Sequence, residues 1–315
     1  MNKVETKETL VEKKSARSTI KEISKRKECY LLLLPTFLLL LIFNYYPAFS
    51  AIYHSFFDWD GANFIRFTGL NNFINLLFND PTIPLSFLNI LKLTIASLII
   101  NLTFPLLAAA LIFHLKNLRS AYFYRVLFVI PMVVPAMVIY MIWRFIYSPT
   151  NGLLNNLLNA VGLGHLARPW LGDFQLALYA VVFIGFPWVA GTSTLIYLAG
   201  FQNIPIELLD AVAIDGASAW TRFWRIELPL VVGQIKLIVI LTLIGSIQGF
   251  VPIMVMTNGG PGESTMVPGL YLYRNAMYYN KMGYACAIGT LLFLIIITLT
   301  YLNLRYLRSG IEYQA

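Results

Sequence analysis

Six apolar stretches, each long enough to cross a lipid bilayer, alternate with polar segments along the chain: residues 30–57, 87–113, 122–147, 175–199, 234–256 and 283–304. A helical crossing takes about 20 residues. Helices suit these runs because a backbone group in hydrocarbon must find its partner within its own segment. The alternating ten-residue pattern of a barrel is absent. The pattern predicts an all-α membrane protein with six transmembrane helices. Prolines punctuate five of them: Pro35 and Pro47 in the first, Pro105 in the second, Pro131 and Pro135 in the third, Pro187 in the fourth and Pro252 in the fifth. A proline bends a helix and frees a carbonyl, which a span tolerates where neighbouring helices or water re-satisfy it. The prolines predict kinks, either as packing geometry or as joints of a bundle that rearranges around a path. No long internal repeat is evident, which disfavours a secondary transporter built from inverted repeats.

Composition agrees with lipid as the solvent. Soluble chains carry roughly a quarter charged residues; this one carries 12%, against 58% hydrophobic, with a mean hydropathy of +0.69. The net charge of +8 matters mainly through its placement. Nine of the 23 basic residues precede Tyr30, mixed with Glu5, Glu8, Glu12, Glu22 and Glu28, so residues 1–29 read as a basic cytoplasmic tail. Nucleic-acid binding would need basic residues interleaved with stacking aromatics on a folded face, and none is expected. With that tail inside, 17 Lys and Arg fall on the inner side and 6 on the outer; without it the split is 8 to 6. The tail therefore sets the orientation, and an even number of spans places both termini in the cytoplasm. The apolar run from residue 30 is too long for the core of a cleaved signal and reads as a retained first span. Cys29 precedes the first run and Cys286 sits inside the last, which supports no disulfide framework. His54, His114 and His165 lack ligand spacing, so no metal site is expected.

One polar interruption has local grammar of its own, the segment 203–230, NIPIELLDAVAIDGASAWTRFWRIELPL. Pro205 suits a first helical position, Glu207 and Asp210 sit near the positive end of the short helix that follows, and Gly216 can take the positive φ that stops it. Ser218 can cap a second short helix, and Pro229 prevents a straight run into the fifth span. Trp220, Phe223 and Trp224 share one face. On these grounds alone the segment is either an interfacial anchor or a docking element.

The segment resembles the cytoplasmic signature of binding-protein-dependent ABC importer permeases: an acidic residue, two alanines, a glycine, then isoleucine and leucine-proline. The counterparts are Asp210, Ala211 and Val212, then Gly216, then Ile226, Leu228 and Pro229, with nine residues between Gly216 and Ile226. Asp210 stands where glutamate is usual and Val212 where a second alanine is usual. FTGLNNFINLL after the first span, IYSPTNGLLNNLL after the third and MTNGGPGESTMVPGLYLYRNAM after the fifth resemble segments of the carbohydrate-importing (maltose and multiple-sugar) subgroup.

The resemblance implies a first helix and outer loop over 30–86, a transport domain over 87–308 that contains the coupling loop 203–230, and a tail over 309–315. It implies a multi-pass subunit of a prokaryotic plasma membrane that forms half of a translocation path. The expected partners are a second related permease, a cytoplasmic ABC ATPase dimer, an extracytoplasmic solute-binding protein, the sugar and the surrounding lipid. Glu207, Asp210, Ala211 and Gly216 are implied as the ATPase-coupling contact. The chain has no Gly-rich loop ending in Gly-Lys-Ser/Thr, and Asn258–Gly262 lacks the lysine, so no ATPase site or cofactor is expected here; ATP and Mg belong to the partner. No catalytic set stands at a plausible depth, and the chain is not expected to be an enzyme.

The solute path needs polar groups within the spans. Trp188, Thr192 and Ser193 (with Gly191 and Thr194) in the fourth span and Ser246, Gln248 and Gly249 in the fifth are the candidates, although Ser and Thr also serve helix packing. Gln248 leads because an amide in a span is costly without a partner. A glycerol-3-phosphate or other small polar solute importer is the alternative, and a phosphate would call for a basic group near the path. A self-contained secondary transporter would require a central carboxylate, and no span carries one.

Overall fold

A computed structural model of the chain describes residues 27–306. Most of the tail expected over 1–29 and all of that over 309–315 lie outside the described residues. The chain divides into two units, the first ending at Tyr53 and the second beginning at His54. The first unit is one apolar helical run: α1 (Lys27–Leu40), a wide turn at Leu41–Tyr45, then α2 (Tyr46–His54). It stops short of the expected residue 57 because Phe57 pairs in a hairpin instead.

That hairpin was not foreseen. Strands β1 (Phe57–Trp59) and β2 (Ile65–Phe67) run antiparallel, with Phe57 opposite Phe67 and Trp59 opposite Ile65. Asp60 holds the turn by accepting from the amides of Ala62 and Phe64, and the Ala62 amide in particular holds its carboxyl below the usual range. Asn72, in α3 (Asn71–Ile74), donates to the Ser55 and Phe57 carbonyls at 2.9 and 2.8 Å.

The long helix α4 (Thr82–Phe113) begins five residues before its expected start and organises the second unit. α5 (Leu118–Val129) leads through a tight turn at Ile130–Val133 into α6 (Ala136–Ile146), with a 90° bend at the predicted prolines. α7 (Leu153–Ala160) follows. The fourth expected span is broken: α8 (Ala177–Val182) ends, residues 183–190 turn irregularly, and α9 (Gly191–Gln202) resumes. The segment 203–230 holds α10 (Ile206–Ile214), α11 (Ala219–Arg222), a wide turn at Phe223–Glu227 and α12 (Leu228–Leu230). The fifth expected span is α13 (Val232–Gln248) followed, after a break at Gly249, by α14 (Val251–Met256). α15 (Pro268–Met277) and α16 (Met282–Tyr306) complete the described chain. Leu31–His54, α4 and α16 are each long and apolar enough to cross a membrane alone, and three bent pairs pass the same test jointly.

Lipid tails are as apolar as leucine, so helices in a membrane associate through close packing and hydrogen bonds. α9 and α13 pack on α4, where Ala109 and Ala110 are buried beside Tyr197 and Phe201. Buried Asn89 of α4 donates to the Ser264 and Met266 carbonyls, both at 2.9 Å. Gly283 lets α16 touch the hairpin: a Cβ there would overlap the Phe57 carbonyl oxygen.

Asp80, just before α4, receives the hydroxyls of Tyr271 and Tyr284, both at 2.6 Å, on one carboxylate oxygen. Burial first, and then Asp80, push the Tyr271 hydroxyl up to about 12, so it remains a donor at any working pH. Hydrogen bonds to a charged group contribute about 1.5–3 kcal/mol each. Tyr284→Phe is expected to lose about 1.5 kcal/mol of stability and Asp80→Leu about twice that. Thermal unfolding of the detergent-solubilised protein measures both; equal midpoints for Asp80→Leu and the parent would contradict the assignment.

Candidate functional site

Two features concentrate the chemistry, the segment 203–230 and a cavity among the spans. Within the segment, Pro205 has extended ψ and caps α10 rather than opening it, one position earlier than expected. Glu207, Asp210, Ala211 and Ile214 recur at i, i+3, i+4 and i+7 and are all exposed, Ile214 at 87%. Leu208 and Leu209 pack against the core and Val212 is buried. The valine that departs from the family signature therefore faces inward, while Asp210 is on the outward face.

Gly216 ends α10 at φ +71°, with the Gly216 and Ala217 amides returning to the Ala213 and Val212 carbonyls. The exposed Asp215 carboxylate makes no hydrogen bond among the described residues. Ser218 Oγ accepts from the Thr221 amide at 3.2 Å, the predicted cap. The Trp220 and Trp224 rings meet edge-on at 5.5 Å. Pro229 lies in α12, and the bend falls just after it, at Val231, turning α13 by 65°.

Sequence reasoning missed Glu227. Its side chain is fully buried, with Oε1 2.8 Å from Arg222 Nε and 2.9 Å from His114 Nε2 at the end of α4. The signal available was a carboxylate inside the apolar run Ile226–Leu230; its partner 113 residues away could not be read from spacing.

The cavity, about 530 Å³, lies between α4, the broken fourth span and α13. Trp188, Thr192, Ser193 and Ser246 line it, together with Asn101, which the sequence did not single out. Gln248 does not: it ends α13, exposed and outside the lining, while its neighbour Gly249 is part of it. Ser193 Oγ approaches Asn101 Oδ1 at 3.4 Å, and Ser246 Oγ donates to Thr94 Oγ1 at 3.1 Å. Trp188 sits at φ +59°, its indole N–H donating to the Val182 carbonyl and its ring packed near Phe104, Phe183 and Phe186. That bond re-satisfies the carbonyl at the end of α8. No Asp, Glu, Lys, Arg or His is among the lining residues.

Residues 101–313, which include the segment 203–230 and most of the cavity, match the family described as binding-protein-dependent transport system inner membrane component. The chain belongs to this family. It is accordingly a multi-pass transport subunit of the inner membrane. Among the relatives of this inner membrane component, "Probable ABC transporter permease protein YurN" of Bacillus subtilis (strain 168) is 33% identical over 284 residues, covering 90% of this chain and 97% of that one. "Multiple sugar-binding transport system permease protein MsmF" of Streptococcus mutans serotype c is 28% identical over 291 residues, covering 91% and 97%. A chain in the crystal structure of a bacterial ABC transporter for import of the acidic polysaccharide alginate has the same fold, with a TM-score of 0.79 at 23% identity, over 92% of this chain and 100% of that one.

The end of α10 in this permease can be tested without disturbing a contact. A Cβ at Gly216 would meet nothing within 4 Å, so its cost is purely that of the backbone. Gly216→Ala is expected to destabilise by about 1 kcal/mol and Gly216→Asn by less, since Asn tolerates the left-handed region. Thermal unfolding measures the order, and an alanine variant as stable as the parent would refute it.

Proposed function

We propose that this permease carries an uncharged carbohydrate and is driven by a separate ATPase docked on α10. The exposed face of α10 carries the proposal. It joins Glu207 and Asp210 to Ala211 and Ile214, while its opposite side is packed on the spans. Neither acidic side chain makes a hydrogen bond among the described residues, so both are available to a partner. A short helix stopped by Gly216 and braced by Leu208, Leu209 and Val212 transmits a push, where a flexible loop would absorb it. The ATPase binds ATP and Mg; this chain is assigned no nucleotide site, no cofactor and no catalytic role. The basic tail orients α10 to the cytoplasm with both termini, and the remaining partners are a second permease and an extracytoplasmic solute-binding protein.

The cavity supports a neutral solute. An indole beside hydroxyls and the Asn101 amide offers a stacking face with donors and acceptors, which suits a sugar ring, and the name of MsmF points the same way. A glycerol phosphate would call for a cation, yet Lys92 and Arg144 are exposed and line no part of the cavity. Ion-coupled transport would call for a carboxylate, and the lining supplies none.

Replacing both Glu207 and Asp210 by lysine reverses the charge of the docking face on a solvated helix. Recovery of the ATPase with the affinity-tagged permease is expected to fall at least about tenfold, with the melting temperature unchanged. Equal recovery would remove α10 as the docking element. In proteoliposomes containing the whole importer, uptake is expected to be competed by neutral oligosaccharides and not by sn-glycerol 3-phosphate. The reverse order would overturn the neutral-solute assignment.

A further inference from the structure

The fully buried carboxylate of Glu227 joins two elements that carry different tasks. It sits in the wide turn between α11 and α12, within the coupling segment, and it meets His114, the residue that closes α4. Seventeen residues back along α4, about 25 Å at 1.5 Å per residue, Ser97 lines the solute cavity, and Asn101 lies one turn nearer. Replacing a buried ion pair by well-packed apolar residues is often neutral or stabilising in proteins. A charged link must therefore be explained by something other than stability.

The geometry of the ring decides its protonation. His114 Nδ1 is 2.8 Å from the Ala110 carbonyl oxygen, which can only accept. Nε2 is 2.9 Å from Glu227 Oε1, and an ionised carboxylate can also only accept. With the carboxylate ionised opposite the Arg222 guanidinium, both nitrogens carry hydrogen and the ring is an imidazolium. Arg222 Nε reaches the same carboxylate oxygen at 2.8 Å, so both cations converge on Oε1. Oε2 is buried with no hydrogen-bond partner among the described residues. A neutral ring would have to give up one of its two bonds.

We infer that the His114–Glu227 hydrogen bond is the link through which movement of the coupling segment reaches α4, with Glu227 as its positioning residue and a proton on His114 closing it. This rests on α10 being the ATPase docking element. The charged groups acting on His114 are Glu227 and Arg222, both from the coupling segment; α4 contributes the Ala110 carbonyl. The hydrogen bond that His114 donates to Glu227 is the leading reason that His114 is raised above its ordinary value of 6.5, ahead of the opposing effect of burial. The sign follows. The link is complete below 6.5 and is lost as pH rises through the raised His114 value. His114 can exchange its proton because it is 31% exposed and borders an apolar groove of about 780 Å³ against Trp220, Phe223 and Trp224.

The test places a single cysteine in the cavity, Ser97→Cys, in a background with Cys29→Ser and Cys286→Ala. The full importer is assembled in lipid nanodiscs. A charged methanethiosulfonate reagent then labels the introduced thiol without nucleotide and in the ATP–vanadate state, and the ratio of the two rates is taken. The ratio is expected to differ from one by at least about fivefold in the parent, and to fall to near one in His114→Leu and in Glu227→Leu. The ATPase should still co-purify with both variants, which separates failure of this link from failure of docking. In the parent the ratio should decline as pH rises above 6.5; in His114→Arg, whose cation does not titrate, it should persist and be flat with pH. A parent ratio independent of pH, or an undiminished ratio in His114→Leu, would overturn the inference. The pH series uses the native pair, so it decides the matter even where a substituted protein is unstable.

Discussion

In hydrocarbon a carbonyl released from a helix has no water to turn to, so every break in a span must be covered by protein or opened onto a wet space. Three of the expected spans are broken here, at 134–135, 183–190 and 249–250. Each break is managed locally. Pro135 has no N–H to satisfy. The Trp188 indole closes on the Val182 carbonyl left at the end of α8. At the third, the Gly249 amide turns back to the Ser246 carbonyl. The second and third breaks border the same cavity, which is where irregular backbone in a membrane belongs. The polar cavity is thus a consequence of how the breaks are satisfied as much as of the side chains placed along it.

This explains which parts of the site were legible. Helix grammar is local, so the stop at Gly216, the cap at Ser218 and the bend at Pro131 and Pro135 could be read directly. Trp188, Thr192, Ser193 and Ser246 could be nominated because polar groups in a span need a reason. Gln248 was nominated on the same logic and lies outside the cavity, because α13 ends there and Gly249, one residue later, takes the lining position. Hydropathy reports that a residue is in a span but not its helical phase against neighbours. Asn101 escaped notice for the same reason. The hairpin at Phe57–Phe67 was lost in the apolar run that precedes it, since three-residue strands leave no periodic trace.

Val212 shows how a departure from a signature can be absorbed. Alanine at that position would permit close approach to a partner, and valine would obstruct it. In the fold the residue faces the core beside Leu208 and Leu209, so its extra bulk fills the protein rather than the exposed face of α10. Asp210, the other departure, is on the outward face, where a shorter carboxylate changes reach and keeps charge. Of the two differences, Asp210 is the one a partner would meet.

The two polar regions of the second unit have opposite electrostatic designs. The cavity has hydroxyls, an amide and an indole with no charge. The corner at Glu227 is the reverse, with a buried carboxylate, an arginine and a histidine drawn to one oxygen at 2.8 and 2.9 Å. There the His114–Glu227 hydrogen bond ties the segment 203–230 to the end of α4, and neutral groups line the cavity about 25 Å along the same helix. One long helix thus has its end held by charged groups and its middle facing a neutral cavity, so the charge of the corner is kept away from the cavity lining.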